Sequence, residues 1–264
     1  MIQARGALWF IGAAGLLVAA IETPLIAAAD FAPDRGLWIA LTWVIGGGFV
    51  GIGLYAWSRR PDNAVGVLMV ATGFAFLISV LGRTEPPVLF TTGHLLSNLF
   101  VGTAIHLLLA FPSGRVESRL DRWLLGAVYV AVTLGFVPYL LFADPEFMGC
   151  AGCPENLVLI ESDPSVARTS LDVLNVVGIV ALLAVLVRLV TRWRVATPPQ
   201  RRAITPVFAA GGALMAVLVV LLVGSLARAS TEFFDVTFYV ALIPFGLVPY
   251  LFLAGLARAQ MLRG

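Results

Sequence analysis

The sequence predicts an all-α fold, a polytopic membrane bundle of eight transmembrane helices forming a single domain over residues 1–264. Three observations predict it. Hydrophobic residues make up 60% of the 264 and charged residues 12%, against about 45–50% and about 25% in soluble domains. That leaves too little polar surface for a water-soluble globule of this size, and the mean hydropathy of +0.97 agrees. The apolar residues also fall into eight runs near the ~20 residues that a ~30 Å hydrocarbon core requires. Between the runs, arginine collects on alternate loops. Disorder, a fibrous repeat, a disulfide scaffold and a nucleic-acid-binding module are excluded as the main identity.

Span one, 7–29, follows Arg5 and ends in Ala27-Ala28-Ala29. The same features fit a secretory signal, whose cleavage would leave seven spans and an outer N-terminus. Span two, 37–57, starts after the turn Pro33-Asp34-Arg35-Gly36 and stops before Arg59-Arg60-Pro61-Asp62-Asn63. Span three, 64–82, stops before Arg83-Thr84-Glu85-Pro86-Pro87, and span four, 89–111, before Pro112-Ser113-Gly114-Arg115. Proline, glycine and charge together are turn chemistry. Span five, 123–143, precedes the longest stretch outside the membrane, residues 144–170. Span six, 171–192, leads to Thr197-Pro198-Pro199-Gln200, followed by span seven, 204–227, and span eight, 233–257. Pro138, Pro206, Pro244 and Pro249 fall within spans and predict interruptions. Gly47 and Gly51 have a small-xxx-small spacing, expected to serve close packing inside the bundle more than a dimer face.

Orientation follows from charge. All 17 basic residues are arginine. Thirteen lie at the N-terminus, the even-numbered loops and the C-terminus; Arg35, Arg83, Arg168 and Arg228 lie on the other side. Short cytoplasmic loops are enriched in Lys and Arg, so a plasma-membrane protein with both termini in the cytoplasm is expected. Eleven acids fall on the outer side, and the tryptophans Trp9, Trp57, Trp123 and Trp193 mark inner ends of spans, with Trp38 at an outer one.

Few residues offer chemistry. Cys150 and Cys153 form Cys-Ala-Gly-Cys in the 144–170 loop, which is expected to be extracytoplasmic. An oxidising exterior favours a disulfide. The two-residue gap makes a tight ring, so a static clip and a redox-responsive pair both fit. The loop holds no His, which argues against zinc. Glu22 lies in the outer third of span one, as a protonatable or ligand-contacting group or as an interface carboxylate reaching outward beside Pro24. His94 and His106 share span four at twelve residues, about 18 Å of rise, too far apart for one metal. Either serves as a pH-sensing group or as a packed histidine, with Ser97 and Asn98 as the expected partners. No phosphate loop, zinc-protease motif, nucleophile elbow or dinucleotide fingerprint is present. No catalytic residue, metal site or cofactor is expected.

Four short motifs stand in order. They are Ser58-Arg59-Arg60-Pro61-Asp62-Asn63 with Gly66; His106 through Phe111-Pro112-Ser113-Gly114-Arg115 with Arg119; Arg192-Trp193-Arg194 leading to Gln200-Arg201-Arg202; and the outer Cys153-Pro154-Glu155-Asn156. The set resembles the membrane input region of actinobacterial two-component sensor histidine kinases, over nearly the whole chain. Leu256-Ala257-Arg258-Ala259-Gln260 is similar to the start of a helix leading to a kinase module. The phosphoacceptor helix and ATP-binding domain of that family do not fit after Ala257, so the chain is expected to be a fragment or a standalone relative without kinase activity. The resemblance implies a signal-sensing module that relays an external or membrane signal through its last helix. It also implies a homodimer, a cytoplasmic kinase module or response regulator as indirect partner, and no nucleic acid. Arg59, Arg60, Arg115, Arg119, Arg201 and Arg202 then become candidate coupling residues of the cytoplasmic loops. A small-molecule transporter or channel, and a purely structural membrane protein, are the other readings.

Overall fold

The computed structural model describes residues 2–32, 34–148 and 152–261. It contains eight helical spans long and apolar enough to cross a membrane among the described residues: Gly6–Ala28, Arg35–Arg59, Val65–Arg83, Pro87–Ala110, Arg119–Phe142, Pro164–Val195, Ile204–Leu226 and Thr231–Ala254. Each predicted run coincides with one of these. The protein is an all-α, multi-pass membrane bundle.

Its helices are α1 (Ile2–Ala28), α2 (Arg35–Leu41), α3 (Gly48–Arg59), α4 (Val65–Val80), α5 (Pro87–Leu95), α6 (Leu99–Ala110), α7 (Arg119–Thr133), α8 (Val137–Phe142), α9 (Pro164–Val195), α10 (Pro198–Leu226) and α11 (Thr231–Met261). Four spans are therefore composite, the third closing in a 3-10 turn over Leu81–Arg83. A π-helical turn, Thr42–Gly47, joins α2 to α3 in span two. Span four breaks between α5 and α6, and span five between α7 and α8.

The prolines behave unequally. Pro138 opens α8 and coincides with a break. Pro206 lies inside α10, and Pro244 and Pro249 inside α11, all uninterrupted. The expected interruption holds at Pro138 only. A proline removes one helical hydrogen bond, and neighbouring helices can hold the remaining turns in line.

Spans two, three, four and eight form the centre. Phe245 of α11 sits 4.9 Å from Phe49, 5.8 Å from Phe76 and 5.1 Å from Phe100, measured between ring centroids. Dispersion and shape dominate packing here, since hydrocarbon supplies no hydrophobic drive between helices. α3 and α4 approach backbone to backbone: a Cβ on Gly66 would lie 2.5 Å from the Trp57 nitrogen and 2.8 Å from the Gly53 carbonyl oxygen. Gly47 and Gly51 instead have no atom within 4 Å of a built Cβ. The close packing expected of that pair belongs to Gly53 and Gly66. Trp38 also departs from expectation, because it is 3% exposed and not an interfacial ring, whereas Trp123 is 81% exposed.

Caps explain several helix starts. Asp163 precedes Pro164 and accepts from the Ser165 and Val166 amides at 2.9 and 3.2 Å, satisfying donors that open α9. Asn63 accepts from the Val65 amide at 2.9 Å, so the Pro61-Asp62-Asn63 turn ends α3 and caps α4.

Candidate functional site

At the arginine-rich end, the loop motifs meet. The Asn63 carboxamide donates to the Pro112 carbonyl at 3.0 Å. Arg192 donates to the Leu109 and Phe111 carbonyls, each at 2.6 Å. Those carbonyls belong to the end of α6 and the residue after it, and the planar guanidinium fork reaches both at once. Gly114 completes the turn with φ +78°, and a side chain there would strike the Asn63 carboxamide. Phe111 also stacks edge-on against Phe252 of α11 at 5.9 Å. Two loops, the last turn of α9 and the last helix thus share one assembly.

The six candidate coupling arginines divide. Arg59, Arg60, Arg115, Arg119 and Arg202 are exposed around this assembly, with Arg59 5.2 Å from the Tyr55 ring. Arg201 is different. It donates to the carbonyls of Trp193, Arg194 and Ala196 and lies 4.7 Å from the Trp193 ring, which makes it a structural clasp of the α9–α10 turn. Sequence reasoning missed Asp121, which is 4% exposed and pairs bidentately with Arg188 of α9 at 2.6 and 3.2 Å. The signal was present: Asp121 is one of few acids on an arginine-rich side. Removing one member of a buried pair costs about 3–5 kcal/mol, less here because Arg188 keeps part of its hydration.

At the opposite end stands a polar and aromatic cluster. Asp34, in the left-handed region at φ 54°, accepts from the Tyr239 hydroxyl at 3.1 Å. Trp38 stacks on Phe238 at 5.9 Å and tilts against Tyr239 at 6.5 Å. The Arg83 guanidinium lies 3.5 Å from the Trp38 ring centroid. Arg83 makes none of the ion pairs found among the described residues, which are Arg35–Asp30, Arg188–Asp121 and Arg228–Asp172. Asp34 and Asp235 lie within its electrostatic reach. A guanidinium held against an aromatic face by cation–π attraction keeps its N–H edge available to an acceptor. Nothing in the sequence separated Arg83 from Arg35, Arg168 and Arg228.

The structure brings His94 close to this cluster: His94 packs on Gly82, next to Arg83 in the chain. Its Nδ1 is 3.0 Å from the Phe90 carbonyl, and its ring stacks 4.3 Å from Phe90. His106 sits at the far half of the same span, with Nδ1 3.2 Å from the Tyr129 hydroxyl. Neither imidazole pairs with Ser97 or Asn98, which fall in the break between α5 and α6, although the Ser97 amide donates to the His94 backbone carbonyl at 3.2 Å. Glu22 is 1% exposed, and both carboxylate oxygens are buried without a hydrogen-bond partner among the described residues. It points into the protein and not outward to the interface. The Trp38 indole nitrogen is a further buried polar atom without a hydrogen-bond partner among the described residues.

The long loop covers the start of span four and the end of span five, away from the arginine-rich end. Asn156 donates to the Leu140 and Ala143 carbonyls at 2.7 and 3.0 Å, and the Leu157 amide donates to Thr91 at 3.0 Å. The Cys-Pro-Glu-Asn motif therefore contains a helix clasp. Cys150 lies outside the described residues; Cys153 does not stand free. Asp144 is held below the usual carboxylate range, first by the Ser162 hydroxyl and then by the Phe147 amide. Asp163 is held low by the Ser165 hydroxyl and the Val166 and Ser165 amides. Arg228 is pushed up by its hydrogen bonds to Asp172.

Comparison with protein-family models, with curated proteins and with solved structures finds no match for this chain.

Proposed function

We propose that the bundle is the membrane-embedded input module of a sensor-kinase-like protein, in which α11 carries the state of the outer cluster to the arginine-rich end. The observation that carries this reading is the path of α11. It is one continuous helix, Thr231–Met261. Phe238 and Tyr239 contact Trp38 and Asp34 at one end, Phe245 sits in the aromatic core, and Phe252 touches Phe111 at the other. A shift at either end has a direct mechanical route to the other, provided a ligand or perturbation prefers one of two states.

In this reading the arginine-rich end is cytoplasmic and the bundle sits in the plasma membrane. The chain itself performs no catalysis and acts as a homodimer on a kinase module, with a response regulator downstream. The exposed arginines Arg59, Arg60, Arg115, Arg119 and Arg202 are available to acidic surfaces of that module. The order and spacing of the loop motifs support the same family.

The test is a chimera joining α11 to the dimerisation and catalytic core of a characterised sensor kinase, with autophosphorylation as readout. Each inserted residue rotates an α-helix by about 100°. Insertions of one to seven residues at the junction should therefore switch output with helical periodicity, and Tyr239→Phe should shift output several-fold. Output independent of both would overturn the reading. The discontinuous fourth and fifth spans favour a second reading, a small-solute transporter, because broken helices form solute sites in that class. It requires solute flux in proteoliposomes.

A further inference from the structure

Two spans lose helical regularity beside the same void. α5 ends at Leu95 and α6 begins at Leu99; α7 ends at Thr133 and α8 begins at Val137. Asn98 and Phe136, one from each break, line a cavity of about 230 Å³ between α6, α7, α9 and α10. Within hydrocarbon, irregular backbone is tolerated where it is buried in protein or faces a cavity. The void and the breaks therefore explain one another.

The lining specifies an occupant. It is apolar apart from Asn98 and Asn175, and it carries no charged side chain. An apolar cavity of about 150 Å³ accepts benzene, so this one has room for a larger ring or a branched chain. Asn98 makes no capping bond to α6, and its carboxamide has no partner among the described residues. Asn175 is buried and donates to the Ser225 hydroxyl at 2.8 Å, which leaves its carbonyl oxygen to accept. Donor and acceptor thus converge from spans four and six on an otherwise oily space. Leu171, Leu174 and Ala131 in the wall are half-buried and not sealed, so a molecule dissolved in the bilayer enters from the side. A headgroup with full charge would meet no counter-charge there, at a cost that hydrocarbon makes large.

We propose that this cavity binds a neutral, membrane-dissolved amphiphile, with its hydroxyl or carbonyl oxygen on the Asn98 and Asn175 carboxamides and its apolar body between spans four and seven. The site is separate from the outer cluster, and the proposal stands whether or not the chain drives a kinase.

The test uses the full chain in lipid nanodiscs and a diazirine-bearing octanol as photoreactive probe. Labelling should saturate, map by mass spectrometry to 128–136 and 171–182, and be displaced by unlabelled 1-octanol. The matching diazirine octane, which lacks the hydroxyl, should label the wild type about five-fold less at equal concentration, as loss of one hydrogen bond predicts. Asn98→Ala should narrow that difference, and Ala131→Phe should abolish labelling of these segments by filling the cavity. Unsaturable labelling spread over all lipid-facing helices would overturn the proposal using the wild type alone. So would equal labelling by octanol and octane, or labelling unchanged in a folded Ala131→Phe variant.

Discussion

Glu22 places a carboxyl group in the first span, buried and without a hydrogen-bond partner among the described residues. A group in that state costs about 1–3 kcal/mol relative to a satisfied one. Glu22→Leu should therefore lengthen the half-life of the folded protein at elevated temperature in detergent, by about 1 kcal/mol in the unfolding barrier. Glu22→Gln keeps polar atoms in the same place and should give no gain. A Leu variant less stable than wild type would show that the carboxyl group has a partner in the working protein. Asp163 and Asp144 behave oppositely, because they are hydrogen-bonded and only half-buried. Their hydrogen bonds lower their carboxyl pKa values from the ordinary 3.8. Folded values below unfolded ones stabilise above the ordinary value, and that stabilisation is lost as pH falls through the lower folded value. Amide exchange at Ser165, Val166 and Phe147, corrected for intrinsic rate, should accelerate below about pH 4. Asp163→Asn should flatten the response at Ser165 and Val166 but leave Phe147 unchanged. Residue type revealed little of this difference, since burial and partner geometry set it and neither is encoded by spacing.

At the scale of elements, the spans were legible because apolar length and flanking arginine are strong signals in hydrocarbon. Their interiors were not. Leu96-Ser97-Asn98 reads as part of a continuous apolar run, yet it separates α5 from α6. Pro244 and Pro249 look like breakers and lie inside an unbroken α11. Neighbouring helices decide which backbone irregularities survive, and a single sequence does not encode those neighbours locally. The loop motifs were legible as a set, although their mutual contacts were not. Arg192 is the element that binds them, through two carbonyls at 2.6 Å. An ammonium lacks the fork that reaches both, so Arg192→Lys should loosen the 111–115 loop by about 2 kcal/mol, the scale of hydrogen bonds to a charged group. With Ser113→Cys as reporter, labelling by a water-soluble maleimide should rise several-fold in Arg192→Lys and not in Arg194→Lys. Equal labelling in both would remove Arg192 from its anchoring role.

Over the whole molecule, a net charge of +2 conceals a strong asymmetry, about +10 on one side and −7 on the other. That asymmetry was legible from loop arithmetic, and the structure assembles the arginine-rich loops into one unit. The polar and aromatic cluster at the opposite end was only partly legible. His94 was singled out, whereas Asp34, Trp38, Arg83 and Tyr239 come from three separate spans and meet only on folding. The central claim is that α11 couples this cluster to the arginine-rich end. Double electron–electron resonance in nanodiscs tests it directly, with spin labels at the exposed positions Leu253 and Val195. Tyr239→Phe combined with Arg83→Gln, far from both labels, should shift the distance distribution or add a second population by about 2 Å, the scale of helix shifts in switching proteins. A distribution identical to that of the wild type would contradict the account.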